Sequence, residues 1–563
     1  MGQIRIGLTI SGAVSLGSFE GGALAALISG LQVLNPHSGN KAADVRIDAI
    51  GAASAGSITA VAAARILTSG QNPTEVMLKS WVSSDSVNAL LQGAGIDAPF
   101  SMDGLTKTAT EILNATGDLN KVQRGTDVTI DLALTNLRGL DYKITKLSGA
   151  DIRASTYLDW GHFEFAPDDA VERFTQPPDK SPLDTALASG ANEFGFPPKR
   201  LARTSDDFPG LDNFPGNAHF LWYTDGGTID NEPLGRTMDL TNDIDSKTPM
   251  GSDDQRIHLL IHPFPASPPP STSLVWADQK SKPTWARTLL RAFTIIRSQN
   301  LYGDLRQAEK TNSRLVWSSS LEKAMDELIG SLSAKQKDRW AQRLQSLTDD
   351  IESDVKGMAR HRTDGPTTPR DKVDGPLASQ LFRKVYERAS GFAGKNPVGI
   401  EVVSPFLAVG TADLALDQIL AGEFLESFGG FFHEGLRRSD FALGFVCMLN
   451  WMSTGLKAYG LDPGQAEAAV EGALRAFYAL PAWAELGGIA KSFTAYGLTD
   501  DLTHVAARLG LQAGDSWKPT DFGEMTLGQL PLVEQMQLAN VATRILKVLG
   551  ADVWLGATKA NNN

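Results

Sequence analysis

The sequence predicts an α/β protein with a mostly parallel central sheet, followed by a mainly α-helical region. Three observations carry this expectation. Up to about residue 265, short β-like runs alternate with Ala- and Leu-rich helical runs, the pattern of βαβ units. A Pro-rich segment, residues 263–270, then breaks the alternation. Beyond it the apolar residues follow helical spacing and strand-like runs become scarce.

The candidate strands are Ile4–Ile10 and residues 46–50, 127–135, 162–165, 219–223 and 257–262, with helices predicted over 24–34 and 58–67. Leu289, Phe293, Ile296, Leu301 and Leu305 continue as a helix, residues 335–354 form a charged one, and 360–376 read as a polar, mobile linker. At 563 residues the chain exceeds one ordinary core. The expected partition is a catalytic domain over 1–320, a charged helix and linker over 321–376, and a helical domain over 377–563.

Composition narrows the function classes. A formal charge of −13 argues against a nucleic-acid partner, which needs a basic face. The single cysteine, Cys447, excludes an internal disulfide and reads as a buried small hydrophobe. No charged and apolar leader precedes the first strand. Met1-Gly2 suggests myristoylation, but Ile6 stands where Ser or Thr is required. The longest apolar stretch is read at about 441–452, too short to span a bilayer. A cytoplasmic, soluble protein is expected, with oligomeric state undetermined.

Three segments carry candidate chemistry. In Gly51-Ala52-Ala53-Ser54-Ala55-Gly56-Ser57 a strand runs into a serine flanked by tiny residues and then into a helix, the layout of a nucleophile elbow. Ala52 occupies the first glycine position of that pattern, and small residues before a helix also serve plain packing. The segment 11–24, beginning Ser11-Gly12-Ala13-Val14-Ser15-Leu16-Gly17, follows the first strand and suits an oxyanion hole, a phosphate loop or a tight turn. Asp225-Gly226-Gly227 ends a strand, where the carboxylate could face the sheet's edge or merely make a turn. His258 and His262 share one strand face but lack a third ligand nearby, so no metal is expected.

Read together, these segments resemble the patatin-like phospholipase family. The loop at 11–24, the elbow at 51–57, the small-residue stretch Ala188-Ser189-Gly190-Ala191 with Phe196-Pro197, and Asp225-Gly226-Gly227 match its order and spacing over roughly the first half of the chain. The resemblance implies a three-layer α/β/α domain and a Ser–Asp dyad without histidine or cofactor. Ser54 would be the nucleophile and Asp225 its base. Gly12, Ala13 and Val14 would form the oxyanion hole, supported by Gly51, Gly56, Gly226 and Gly227. It also implies an acyl-lipid ester substrate, with transient contact to a membrane or micelle surface. The family loop usually carries three glycines and a nearby cation. Here Ala13, Val14 and Leu16 replace them, which is closer to a patatin-related bacterial subgroup that residues 419–445 also resemble. Two other readings are a non-catalytic patatin-like scaffold and a Ser-His-Asp hydrolase using His504. Trp451, Trp483 and the Phe-rich 424–432 stretch would line an acyl channel or simply form helical core.

Overall fold

The computed structural model describes residues 2–479 apart from 36–43, 84–89, 92–97, 126, 145–151, 194, 209–210, 212–213, 215–218, 252, 264–284, 359–376, 391–398, 406, 408–419, 421, 423–426 and 433. The 360–376 linker, most of the Pro-rich 263–270 segment, Trp483 and His504 therefore lie outside the described residues.

Strands β1 (Ile4–Ile10), β2 (Val45–Ala52), β3 (Val128–Ile144), β4 (Ile152–Phe165), β5 (Lys199–Arg203), β6 (His219–Thr224), β7 (Gln255–Ile261) and β8 (Gly399–Val403) form one sheet. The helices are α1 (Gly17–Leu34), α2 (Ala55–Ser69), α3 (Pro73–Leu78), α4 (Asp103–Leu113), α5 (Pro182–Ser189), α6 (Leu234–Lys247), α7 (Trp285–Ser331), α8 (Ala334–Met358), α9 (Leu377–Ser390), α10 (Glu434–Ala458) and α11 (Pro463–Tyr478).

The strand order is β5-β6-β3-β2-β1-β7-β8, with β4 paired to β3. Pairs β1–β2, β2–β3, β1–β7 and β7–β8 are parallel, and the β3–β4, β3–β6 and β5–β6 pairs are antiparallel. The sheet is thus mixed, with helices on both faces. Strand β1 shows why. Ile4, Ile6, Leu8 and Ile10 enter the main core with α1 and α2, whereas Thr9 hydrogen-bonds Thr237 of α6 at 2.8 Å and Gly7 abuts Thr237 and Thr241. Both faces are covered, so β1 and β2 are buried at every residue, Arg5, Arg46 and Asp48 included. Strand β1 lies between β2 and β7, and all three run parallel, so their carboxyl ends share one edge of the sheet.

Two sequence expectations change. The helix expected from residue 24 begins at Gly17, so Gly21 and Gly22 are helical and not part of a loop. Among the described residues, Val14–Leu34, not 441–452, is the stretch long and apolar enough to cross a membrane, but 94% of its most apolar window is buried inside the fold. The C-terminal region is mainly helical, as expected, and its short strand β8 extends the sheet beside β7, with registers Ile257↔Gly399 to Ile261↔Val403. In contrast, α7, α8 and α9 meet through a separate small cluster of Ile329, Ala341, Leu344, Ala378 and Leu381.

Helix α10 docks on α1 by backbone contact. A Cβ on Gly22 would lie 1.9 Å from the Phe441 carbonyl oxygen, and one on Gly444 would lie 1.9 Å from that of Phe19. Only glycine at both positions lets these helices approach so closely. Cys447 is buried in the same layer, and the Phe445 ring packs tilted against Phe477 of α11, with ring centres 4.3 Å apart. Gly444→Ala should therefore destabilise the protein by about 1–3 kcal/mol through overpacking, read as a lower urea midpoint. An unchanged midpoint would contradict this packing.

Candidate active site

Strand β2 ends at Ala52, paired with Ile10, and the Ala53 N–H donates to the Ile10 carbonyl at 3.2 Å. Ser54 follows at φ 51° and ψ −128°, a conformation that L-residues rarely hold. Its N–H donates to Ser189 Oγ at 2.9 Å, and its carbonyl accepts from Ser57 N–H at 2.9 Å as α2 begins. Ser189 Oγ also lies 2.8 Å from Ser57 Oγ, so the end of α5 pins both sides of the turn. A Cβ on Gly56 would meet the Ser11 carbonyl oxygen at 2.4 Å, and one on Gly51 would meet Thr237 Oγ1 at 2.1 Å. Ala52 is tolerated in a glycine's place because it remains an ordinary buried strand residue.

Asp225 is fully buried at the end of β6. Ser54 Oγ donates to its Oδ2 at 2.9 Å, Asn192 Nδ2 donates to the same oxygen at 3.2 Å, and Gly227 N–H donates to Oδ1 at 2.8 Å. Its backbone is fixed as firmly. Asp225 N–H donates to the Ala191 carbonyl at 3.0 Å, and Thr135 Oγ1 donates to the Asp225 carbonyl at 2.7 Å. A Cβ on Gly226 would lie 2.0 Å from the Ala133 carbonyl oxygen, so the turn lies flat against β3.

The loop after β1 wraps over Ser54. Gly12 is a spacer and not the oxyanion donor expected from the sequence. Its N–H already donates to the Asn231 carbonyl at 2.8 Å, while a Cβ there would meet Asn231 Oδ1 at 2.3 Å and Ser54 Cβ at 2.8 Å. Among the described residues, the N–H groups of Ala13 and Val14 donate to no protein acceptor. Val14 sits at φ 52°, an outlying conformation for a β-branched residue. Residues from the C-terminal half brace it: Ser15 N–H donates to the Ser427 carbonyl at 3.1 Å, and Gly430 N–H donates to Ser15 Oγ at 3.0 Å. Arg437 in turn donates to the Gly430 carbonyl at 2.8 Å. Leu16, where a cation was a family expectation, is buried in the main core.

Behind the loop lies a polar layer. Asn231 Nδ2 donates to the Gly12 carbonyl at 3.1 Å and to Glu232 Oε1 at 2.7 Å, and His262 Nε2 lies 3.0 Å from the same Glu232 oxygen. Glu20, fully buried in the first turn of α1, accepts from Ser11 Oγ at 3.2 Å, and burial pushes its carboxyl well above the ordinary carboxylate range. Asp230 is pushed up to about 7, mainly by burial and then by Asp304 and Glu232. His258 lies 2.9 Å from Thr241 Oγ1, on a different network from His262, and burial lowers it to about 3. Among the described residues no group of three or more His, Cys, Asp or Glu is placed to hold a metal ion.

Ser54 stands in the wall of a mainly apolar cavity of about 860 Å³, part of it open to solvent. Val14, Asn192, Phe196 and Phe431 line it together with Ser54. Of the aromatics expected along such a channel, Phe431 is present, whereas Trp451 is buried in α10 within the main core. The sequence reading missed Ser189, Asn192 and Asn231. Ser189 lay in a quoted motif, but its orienting role depends on where α5 packs. Asn192 and Asn231 sat beside quoted motifs without a local signal of their own. Chemically, the site offers a hydroxyl against a carboxylate, two nearby backbone N–H groups with no acceptor among the described residues, and an apolar cavity.

Residues 8–238 match the family model described as Patatin-like phospholipase, a family of lipid acyl hydrolases. An uncharacterized protein, y4iI, of Sinorhizobium fredii (strain NBRC 101917 / NGR234) is 24% identical over 351 residues, covering 47% of this chain and 50% of that protein. The chain thus spans about half the length of the curated relative it matches. The matched span holds β1 to β6, the elbow, the loop over it and Asp225, and it stops within α6. Residues 8–238 of this chain are therefore a patatin-like phospholipase domain.

Proposed function

We propose that this protein is a lipid acyl hydrolase that cleaves carboxylic esters through a Ser54–Asp225 dyad and an acyl-enzyme. The observation that carries this reading is the 2.9 Å hydrogen bond from Ser54 Oγ to Asp225 Oδ2 at the wall of an apolar cavity.

In the first half-reaction Ser54 Oγ attacks the ester carbonyl carbon and its proton passes to Asp225 Oδ2. The carbonyl oxygen becomes an oxyanion, stabilised by the Ala13 and Val14 N–H groups and the positive end of α2. Collapse breaks the bond to the alcohol oxygen, which leaves with the proton from Asp225. Water then attacks the acyl-enzyme, its proton passes to Asp225, and the second collapse frees the acid as Ser54 Oγ recovers a proton. Asn192 and Gly227 hold the carboxylate throughout, so that Oδ2 faces the hydroxyl. With a single carboxylate as base, the geometry needs no imidazole, and the nearby His262 is taken up by Glu232.

Two outcomes follow. Ser54→Ala should lower kcat on acyl esters by at least about 10³-fold, and Asp225→Asn by about 10²–10⁴-fold, with thermal unfolding temperatures near wild type. Initial-rate assays on purified variants check this; equal rates in all three proteins would dismiss the dyad. Gly12→Ala should lower kcat by about 10²-fold with little change in KM, because its Cβ would push against Ser54 and displace the loop that receives the oxyanion. Wild-type turnover in Gly12→Ala would mean that the loop does not receive the charge.

A further inference from the structure

The cavity beside Ser54 has a definite shape. Helix α2 contributes Ala55, Ile58, Val61 and Ala62, the spacing of one helix face. Helix α4 contributes Leu105, Thr108, Ala109, Ile112 and Leu113 with the same periodicity. Leu183 and Leu187 of α5 supply a third wall.

The two long walls run in the same sense. Leu105 packs with the Phe100, Phe196 and Phe431 cluster that includes Val14, at the Ser54 end. At the far end Arg65 Nε donates to the Leu113 carbonyl at 3.0 Å, and Gln71 Nε2 donates to the Ile112 carbonyl at 2.9 Å. Arg65 also donates to the Asp169 carbonyl at 2.8 Å. These bonds tie α4 to α2 and close the channel behind Ile112 and Leu113, both almost fully buried.

The channel therefore has a length. From Ser54 to Ala62, and from Leu105 to Leu113, eight helical steps span about 12 Å. A carbon chain with bonds of about 1.5 Å at tetrahedral angles advances about 1.25 Å per bond. We propose that this channel is an acyl-chain gauge that selects esters of medium-chain, saturated acids of about ten carbons. In this reading the carbonyl lies at Ser54 and the methyl end reaches Ile112 and Leu113. The inference rests on the hydrolase reading for its orientation and adds to it the substrate's acyl class. Longer chains must fold back or leave their tail outside. Shorter ones leave apolar wall uncovered, at about fourfold in kcat/KM per missing methylene.

The test is a series of single-chain esters with acyl groups of four to sixteen carbons, assayed on the full-length protein. The expected kcat/KM rises to about ten carbons and then levels or falls. Ala109→Leu, which fills the channel about one turn short of its floor, should raise the hexanoyl-to-decanoyl ratio of kcat/KM at least about tenfold. Leu113→Ala, which deepens the floor, should shift the optimum to longer chains. A steady rise to sixteen carbons, or ratios unmoved by both variants, would overturn the gauge while leaving the dyad standing. If the wild-type protein hydrolyses no ester of the series, the hydrolase reading fails. Calorimetric binding of saturated primary alcohols of six to fourteen carbons to Ser54→Ala then decides the gauge alone. Affinity that rises to about ten carbons and then levels supports it, and affinity independent of length, or no binding, overturns it.

Discussion

The arrangement of the candidate active site depends on one backbone constraint, the sharp turn at Ser54. Its φ of 51° and ψ of −128° cost about 1–3 kcal/mol, and the conformation survives only because the surroundings over-determine it. Ile10 holds the residue before it, Ser189 holds its N–H, and Ser57 closes the first turn behind it. Gly12 and Gly56 then leave no space for anything larger than hydrogen on either side. The same turn aims Oγ at Asp225 and sets it at the start of the α2 face that lines the cavity. The proposed nucleophile, its proposed base and the cavity beside them thus follow from one strand-to-helix junction.

The C-terminal half completes what this junction begins. Val14 stands at φ 52° where the related loops carry glycine, and such strain needs support. Ser427 and Gly430 supply it by bonding Ser15 on the adjoining turn, and Phe431 from the same segment enters the cavity wall. Helix α10 anchors that segment through Arg437 and rests on α1 by glycine-to-backbone contact. The departure from three glycines is therefore paired with a brace that begins nearly 200 residues past the end of the matched family span.

Much of this was legible in the residues. Strand β1 was readable to its ends because Ile4, Ile6, Leu8 and Ile10 recur at every second residue, and Ser54 and Asp225 stood out through the order of their motifs. What escaped has physical reasons. Strand β5, Lys199-Arg200-Leu201-Ala202-Arg203, lies at the sheet edge, where basic residues are tolerated and the apolar signal fades. Strand β8 is short and joins the sheet after some 140 residues, a pairing that no local pattern announces. Gly17 to Gly22 looked like loop, because glycines that let helices touch cannot be told by composition from glycines that turn a chain. The sequence also made Gly12 a donor, whereas its N–H already donates to the carbonyl of Asn231, 219 residues away.

The central claim is that Ser54 is the nucleophile and that Asp225 activates it. Intact-mass and peptide mapping after treatment with a long-chain alkyl fluorophosphonate test this most directly, since attack on phosphorus requires the activated hydroxyl. A single adduct on Ser54 is expected, absent in Ser54→Ala and formed at least about 10²-fold more slowly in Asp225→Asn. An adduct on another residue, or labelling of Asp225→Asn at the wild-type rate, would contradict the account.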